Sequence, residues 1–318
     1  MKRTLLIILT LGLISAGLLF PVWKVEAETP GPRPDATLKA LSGKVSAFNY
    51  GAPLSLDFAG ETVDIQNPRI EKKINREIRK SLNYPAATKL LFKRAYRYQD
   101  RFMDILEAKG IPSDFFYLSI AESKLSNATS AVGAKGFWQF MPATARQYGL
   151  EVSDQVDERL HPDKATYAAA RFLKAAYKQL EDWTLVAAAY NMGPTGVERA
   201  VKNNGTRDYF QMDLNPETGA YLYRILGYKS VLEGAERYGF DLDEIEYYHP
   251  IPYRTTLVKE NIDDLATFAQ SHGSTYRDLK IMNPWLLTDQ LTVSEGESYE
   301  IRFPIVSNPV AYELRTDR

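Results

Sequence analysis

Phe115-Phe116-Tyr117-Leu118-Ser119-Ile120-Ala121-Glu122 reads as a helix whose last turn carries a carboxylate, and the placement of that carboxylate decides the reading of the chain. Three and four residues are close to one helical turn, so Phe115, Leu118 and Glu122 share a face. Glu122 therefore falls on an apolar stripe. A carboxylate held there loses water, which favours its protonated form and lifts its pKa toward the working range of a general acid. The competing reading is a glutamate at a fraying helix end that turns to solvent, since glutamate is rarely buried.

Outward from this helix, the pattern is helical nearly throughout from Pro68 to Tyr238. Pro85 opens a helix with Leu90, Leu91, Tyr98, Phe102, Ile105 and Leu106 at helical spacing, stopped by Gly110 and Pro112. Ser113 or Asp114 is positioned to cap the 115–122 helix. His161-Pro162-Asp163 opens another, with an apolar face of Tyr167, Phe172, Leu173, Tyr177 and Leu180. A short helix from Asp182 to Tyr190 stops at Asn191-Met192-Gly193-Pro194, and a last long one runs from Thr218 to Tyr238. Residues 67–240 thus read as one α-helical domain. Beyond Asp241 the composition changes. Strands at 255–258 and 299–303 flank helices at 262–272 and 276–282, a small βααβ unit over residues 251–306. Residues 28–66, rich in Pro, Gly and Ser, read as a loosely ordered lead-in.

Three further segments carry polar groups in apolar or small-residue settings. Ser130-Ala131-Val132-Gly133-Ala134-Lys135-Gly136 is a run of small residues that lets backbone approach a ligand. It leads into Phe137-Trp138-Gln139-Phe140-Met141-Pro142, where Gln139 is an isolated amide among aromatics. Those aromatics are either walls of a sugar-binding cleft or ordinary core. Ala187-Ala188-Ala189-Tyr190-Asn191 ends the fourth helix, and Glu217-Thr218-Gly219-Ala220-Tyr221 opens the last one.

Taken in this order, Glu122-Ser123, Gly136-Phe137-Trp138-Gln139, Ala189-Tyr190-Asn191 and Tyr221 resemble the motifs of the soluble-type lytic transglycosylases, which share a fold with goose-type lysozyme. The run from Trp138 to Ala145 is similar to that of the membrane-bound lytic murein transglycosylase D group. The resemblance covers about residues 85–235 and departs from the family in two places. Phe137 replaces the usual leucine, and the Glu122-to-Gly136 segment is a residue shorter than in some relatives. The resemblance implies a mainly α protein with a lysozyme-like catalytic domain that acts on the glycan strands of peptidoglycan. It implies cleavage of the β-1,4 bond between N-acetylmuramic acid and N-acetylglucosamine, with a 1,6-anhydromuramoyl end as product. By the same match Glu122 is the acid and then the base, Ser130 and Gln139 hydrogen-bond substrate, Tyr190 and Asn191 shape the cleft, and Tyr221 lies close to Glu122. A hydrolase of the goose-lysozyme kind and a non-catalytic glycan-binding scaffold are the alternatives. Ile262-Asp263-Asp264-Leu265-Ala266, Asn283-Pro284 and Ile301-Arg302-Phe303-Pro304 resemble a LysM domain, a glycan-binding module, without its usual glycine-rich start.

Composition narrows the rest. The 318 residues carry 39 Lys+Arg against 40 Asp+Glu, a formal net charge of −1, so broad capture of nucleic acid is not expected. The chain has no cysteine, which excludes disulfides, thiolate catalysis and a lipid anchor on cysteine. His161, His249 and His272 have no ligand-like spacing, and neither metal nor cofactor is expected. Lys2-Arg3, an apolar run from Thr4 to Trp23 and Val25-Glu26-Ala27 make residues 1–27 a secretory signal, either cleaved or retained as an inner-membrane tether. The expected location is the periplasm or cell envelope. No protein partner is legible.

Overall fold

The computed structural model describes residues 51–243 and 246–305; the apolar run at 4–23 lies outside them. Among the described residues no helix is long and apolar enough to cross a membrane. Over the described residues the fold is mainly α: ten helices, a two-stranded hairpin before them and a two-stranded sheet in the small C-terminal unit.

The hairpin revises the reading of 28–66 as a loose lead-in, at least over its described part. Strands β1 (Asp57–Phe58) and β2 (Glu61–Thr62) pair antiparallel around Ala59 and Gly60, both at positive φ, the geometry of a tight two-residue turn. Leu56, Phe58 and Val63 are buried in the main core. The segment is too short to show two-residue periodicity, so only its packing makes it regular.

Helix α1 (Pro68–Leu82) starts at Asn67, whose side chain accepts from the Arg69 N–H, with Pro68 pre-set for the first turn. Ile70, Ile74 and Ile78 form its buried stripe. Helix α2 (Pro85–Ala108) buries Leu91, Phe92, Ala95, Phe102, Ile105 and Leu106. Helix α3 (Phe115–Ser123) is buried on every side from Phe115 to Ile120, the signature of a central helix. Asp114 precedes it but does not cap it. Its carboxylate accepts the Ala59 N–H at 2.6 Å and pairs with Lys229 at 2.8 Å. A buried cation competes for that carboxylate more strongly than a neutral N–H does. Lys229 also donates to the Asp57 backbone oxygen at 3.1 Å, which pins the hairpin to the root of α3.

Helices α2 and α8 (Thr218–Glu233) pack on α3, and α4 (Pro142–Gln147), α5 (Pro162–Leu180), α6 (Trp183–Met192) and α7 (Pro194–Asn204) complete the helical domain. Asp182 caps α6 through the Thr184 and Leu185 N–H groups, and His161 caps α5 through that of Lys164. Burial pushes the His161 imidazole down to about 3, so it stays a neutral acceptor there. α8 is shorter than its apolar pattern suggests. It stops at Gly234, and a 3₁₀ turn, Glu236–Tyr238, completes the stretch before Gly239 at φ 77°. Where α8 crosses α1, a Cβ on Gly227 would meet the Glu77 Cβ at 2.7 Å, so only glycine permits that approach.

The C-terminal unit pairs β3 (Tyr253–Val258) with β4 (Tyr299–Pro304), antiparallel, from Tyr253 opposite Pro304 to Val258 opposite Tyr299. Helices α9 (Leu265–Ser271) and α10 (Tyr276–Met282) cover it. Asn283 is buried, donating to the Leu279 and Arg302 carbonyls at 2.8 Å and accepting the Arg302 N–H at 2.8 Å, which ties α10 to β4. This unit has its own apolar core around Leu265, Trp285 and Ile301, and Val156 of the helical domain enters that core.

Phe58 meets Phe115 edge-on at 5.3 Å between ring centroids. Phe58→Ala is expected to cost about 3–5 kcal/mol by urea unfolding followed by tryptophan fluorescence. A cost under ~1 kcal/mol would mean the hairpin is not part of the core.

Candidate active site

Glu122 lies in the last turn of α3, where the chain leaves the helix through Lys124 and Leu125, both at positive φ. It is half-buried, and its Oε1 accepts a hydrogen bond from the Tyr221 phenol of α8, itself fully buried. Burial pushes the Glu122 carboxyl above the ordinary carboxylate range. The Tyr221 bond and the Arg224 charge oppose that rise without cancelling it, and the Glu217 charge adds to it. Glu122 is thus partly withdrawn from solvent, at the end of a helix buried on every side rather than along one stripe.

Tyr190, near the end of α6, donates from its phenol to the Trp138 carbonyl at 2.8 Å. Its ionisation is pushed well up, by burial first and by the Glu122 charge second, so it stays a neutral phenol. Asn191 accepts from the Thr218 hydroxyl at 2.7 Å and donates to the Glu217 carboxylate at 3.4 Å. Both halves of its amide are therefore engaged with the start of α8, the helix that delivers Tyr221.

The segment 124–141 folds as a compact loop with bridges between Thr129 and Lys135 and between Lys135 and Phe140. Ser123 donates from its buried hydroxyl to the Phe137 carbonyl at 2.9 Å, joining the loop to the helix that bears Glu122. Gly136 sits at φ 81°, and a Cβ there would lie 1.9 Å from the Arg159 carbonyl oxygen, so no other residue fits. Gln139 takes positive φ, 48°, and spends its amide N–H groups on the Ala128 and Gly136 carbonyls at 3.0 and 2.9 Å. Its Oε1 is the atom left over. Ser130 accepts the Ala134 N–H at 3.0 Å, with its own hydroxyl proton still to donate. Phe137, Trp138 and Phe140 are core rather than cleft walls; the Trp138 indole is fully buried and donates to Thr166 at 2.9 Å.

Of the six residues singled out in the sequence, Glu122 and Tyr221 meet directly, while Tyr190 and Asn191 reach the same region through the loop and α8. Ser130 and Gln139 sit on the loop and bond mainly to its backbone. Arg224 and Glu217, whose charges bear on Glu122, were not singled out for any role. Arg224 stands three residues after Tyr221 on α8, a spacing that could have flagged it. Among the described residues no cluster of three or more His, Asp or Glu is arranged to hold a metal. Open grooves of about 660 and 500 Å³ lie elsewhere, the larger between β3 and α9 with Thr256, Asn261, Asp263 and Phe268 in its walls.

Residues 102–212 match the family described as the transglycosylase SLT domain, and residues 254–306 match the soluble lytic transglycosylase C-terminal LysM-like domain. The first match contains Glu122, Gln139, Tyr190 and Asn191 and ends before Tyr221. The chain is homologous to the membrane-bound lytic murein transglycosylase D of Escherichia coli strain K12, at 30% identity over 192 residues. That alignment takes in 58% of this chain and 42% of the relative, so the chain spans less than half the length of the protein it matches. It is also similar to the peptidoglycan transglycosylase gp16 of Escherichia phage T7, 36% identical over 100 residues, 30% of this chain and 8% of that one. Among solved structures it is similar to the 70 kDa soluble lytic transglycosylase of Escherichia coli, at 18% identity and a TM-score of 0.41, covering 66% of this chain and 43% of that one.

A carboxyl whose pKa is raised on folding contributes most to stability below its unfolded pKa, and the contribution is lost as pH rises through the folded value. Glu122→Gln is therefore expected to raise the Tm at pH 7, an advantage that shrinks as pH falls through the raised folded value and is gone below the ordinary glutamate value of 4.5. A lower Tm at pH 7 would show that the Tyr221 bond outweighs desolvation.

Proposed function

We propose that this chain, which carries a transglycosylase SLT domain and a LysM-like C-terminal domain, is a peptidoglycan lytic transglycosylase with Glu122 as its acid and base. The observation that carries the reading is the Glu122 carboxyl, half-buried, raised in pKa and fixed through one oxygen by Tyr221. Oε1 is occupied by the phenol, so Oε2 carries the proton.

Protonated Glu122 gives its proton to the oxygen linking N-acetylmuramic acid to N-acetylglucosamine, and the C1–O bond of the muramic acid breaks. The acetamido group of that sugar stabilises the cationic centre, which is why one carboxylate serves where many glycosidases use two. Glu122, now ionised and stabilised by the Tyr221 hydrogen bond, takes the proton of the sugar's own 6-hydroxyl as that oxygen closes on C1. The product is a 1,6-anhydromuramoyl end, no water is consumed, and the carboxyl returns to its acid form. The phenol that stabilises the ionised state and the burial that favours the protonated one hold the carboxyl between its two tasks.

Ser130 offers its hydroxyl proton, and Gln139 its free Oε1, to the sugar. Tyr190 and Asn191 act mainly by holding the loop and α8 in place. The C-terminal domain binds glycan, in keeping with its LysM-like match, and the open groove of about 660 Å³ between β3 and α9 is the surface it offers. The N-terminal segment exports the protein to the periplasm or envelope, where the substrate lies; the K12 relative is named a membrane-bound enzyme.

Mass spectrometry of muropeptides released from purified sacculi tests the reading. The wild type should release anhydro ends, 18 Da lighter than the hydrolysed product, a mass fixed by one water; reducing ends instead would identify a muramidase. Glu122→Gln should bind sacculi as wild type does while its turnover falls by about 10³ or more. Undiminished turnover in that variant rejects the mechanism. Turnover should also be unchanged in excess chelator, and loss restored by zinc would contradict the assignment of the chemistry to Glu122 alone.

A further inference from the structure

The 130–140 loop has no regular secondary structure of its own, yet it is held from outside. Arg159 donates from Nη1 to the Gly133 carbonyl at 3.0 Å and to the Phe140 carbonyl at 3.1 Å, gripping both sides of the turn that carries Gln139. Its Nε and Nη2 donate to the two oxygens of Asp157 at 2.8 and 2.7 Å, a bidentate pair, and both residues are buried. Lys135, on the loop, pairs with the same carboxylate at 3.3 Å.

The segment bearing this pair is in turn seated in the C-terminal domain. The Val156 side chain is buried in that domain's core beside Trp285 and Leu286. The Asp157 N–H donates to the Trp285 carbonyl at 2.9 Å, and the Leu287 N–H to the Gln155 carbonyl at 2.8 Å. Tyr299 donates to Glu151 at 2.8 Å, and Arg302 to Asp163 at 2.7 Å. None of these groups has a part in the bond-breaking steps, and a buried ion pair is a costly way to obtain stability alone.

We propose that Arg159 and Asp157 are positioning residues for glycan cleavage, and that the C-terminal domain, by gripping Val156 and Asp157, holds them in place. The domain is then a structural part of the active site as well as a glycan-binding module. The proposal rests on the reading that Ser130 and Gln139 of this loop meet the sugar.

The test uses the full chain with Arg159→Lys, which keeps the charge but loses the fork, and Val156→Ala, which loosens the grip without touching either charged group. Folding is checked by circular dichroism. Both variants should raise KM on soluble glycan strands about five- to tenfold, the loss of a positioned hydrogen bond, with kcat within about threefold. The pH limb set by Glu122 should not move. In hydrogen exchange the amides of 133–140 should lose protection while those of α8 keep theirs. Unchanged KM and loop exchange in a folded variant, or a loss confined to kcat, overturns the proposal. If Arg159→Lys does not fold, Val156→Ala decides. The exchange arm needs no turnover, so a wild-type protein that releases no cleaved glycan would sink the functional reading alone.

Discussion

A nine-residue helix whose side chains are buried on every side from Phe115 to Ile120 has to be surrounded, and that requirement organises the helical domain. α8 and α2 lie against it, the 124–141 loop closes over its end, and the β1–β2 hairpin covers its root through Phe58. The helix has no polar face to show to water, so it has no other stable place in the fold. Glu122 comes at the point where this burial runs out, close enough to the core to be desolvated and close enough to the end to be reached.

Polar groups around that point are used to hold backbone more than to meet solvent. Ser123, Gln139 and Tyr190 each bond to a carbonyl of the loop or its flank, and Asn191 engages the start of α8. Each such bond contributes only about 1 kcal/mol net, but an unmade one in a buried setting costs more. The result is an irregular loop with few conformational options. Two non-glycine positive-φ positions at the end of α3 and one at Gln139 are tolerated because the surrounding bonds over-determine them.

The two cores are separate in composition but not independent. Val156 belongs by sequence to the helical domain and by packing to the C-terminal one. The Asp157–Arg159 pair beside it faces the loop. A segment of a dozen residues thus links the β3–β4 domain to the neighbourhood of Gln139, through hydrogen bonds rather than through a flexible tether.

Much of this was legible in the chain itself. Helical spacing located α2, α3, α5 and α6 to within a few residues, because a 3.6-residue apolar stripe survives whatever it packs against. The βααβ order of the C-terminal unit was also readable, and the ordered motifs from Glu122 to Tyr221 were enough to single out the carboxylate. Whether Glu122 faced apolar residues or water was not, since periodicity names a face and not what covers it. Nor was the role of the aromatics, as Trp138 is equally apolar in a cleft or in a core. The segment 57–62 reads as loose in the sequence because two-residue strands have no period. Arg159 left no trace at all: its meaning lies in two carbonyls and a glycine 19 to 26 residues upstream, and distances of that kind exist only once the chain has folded.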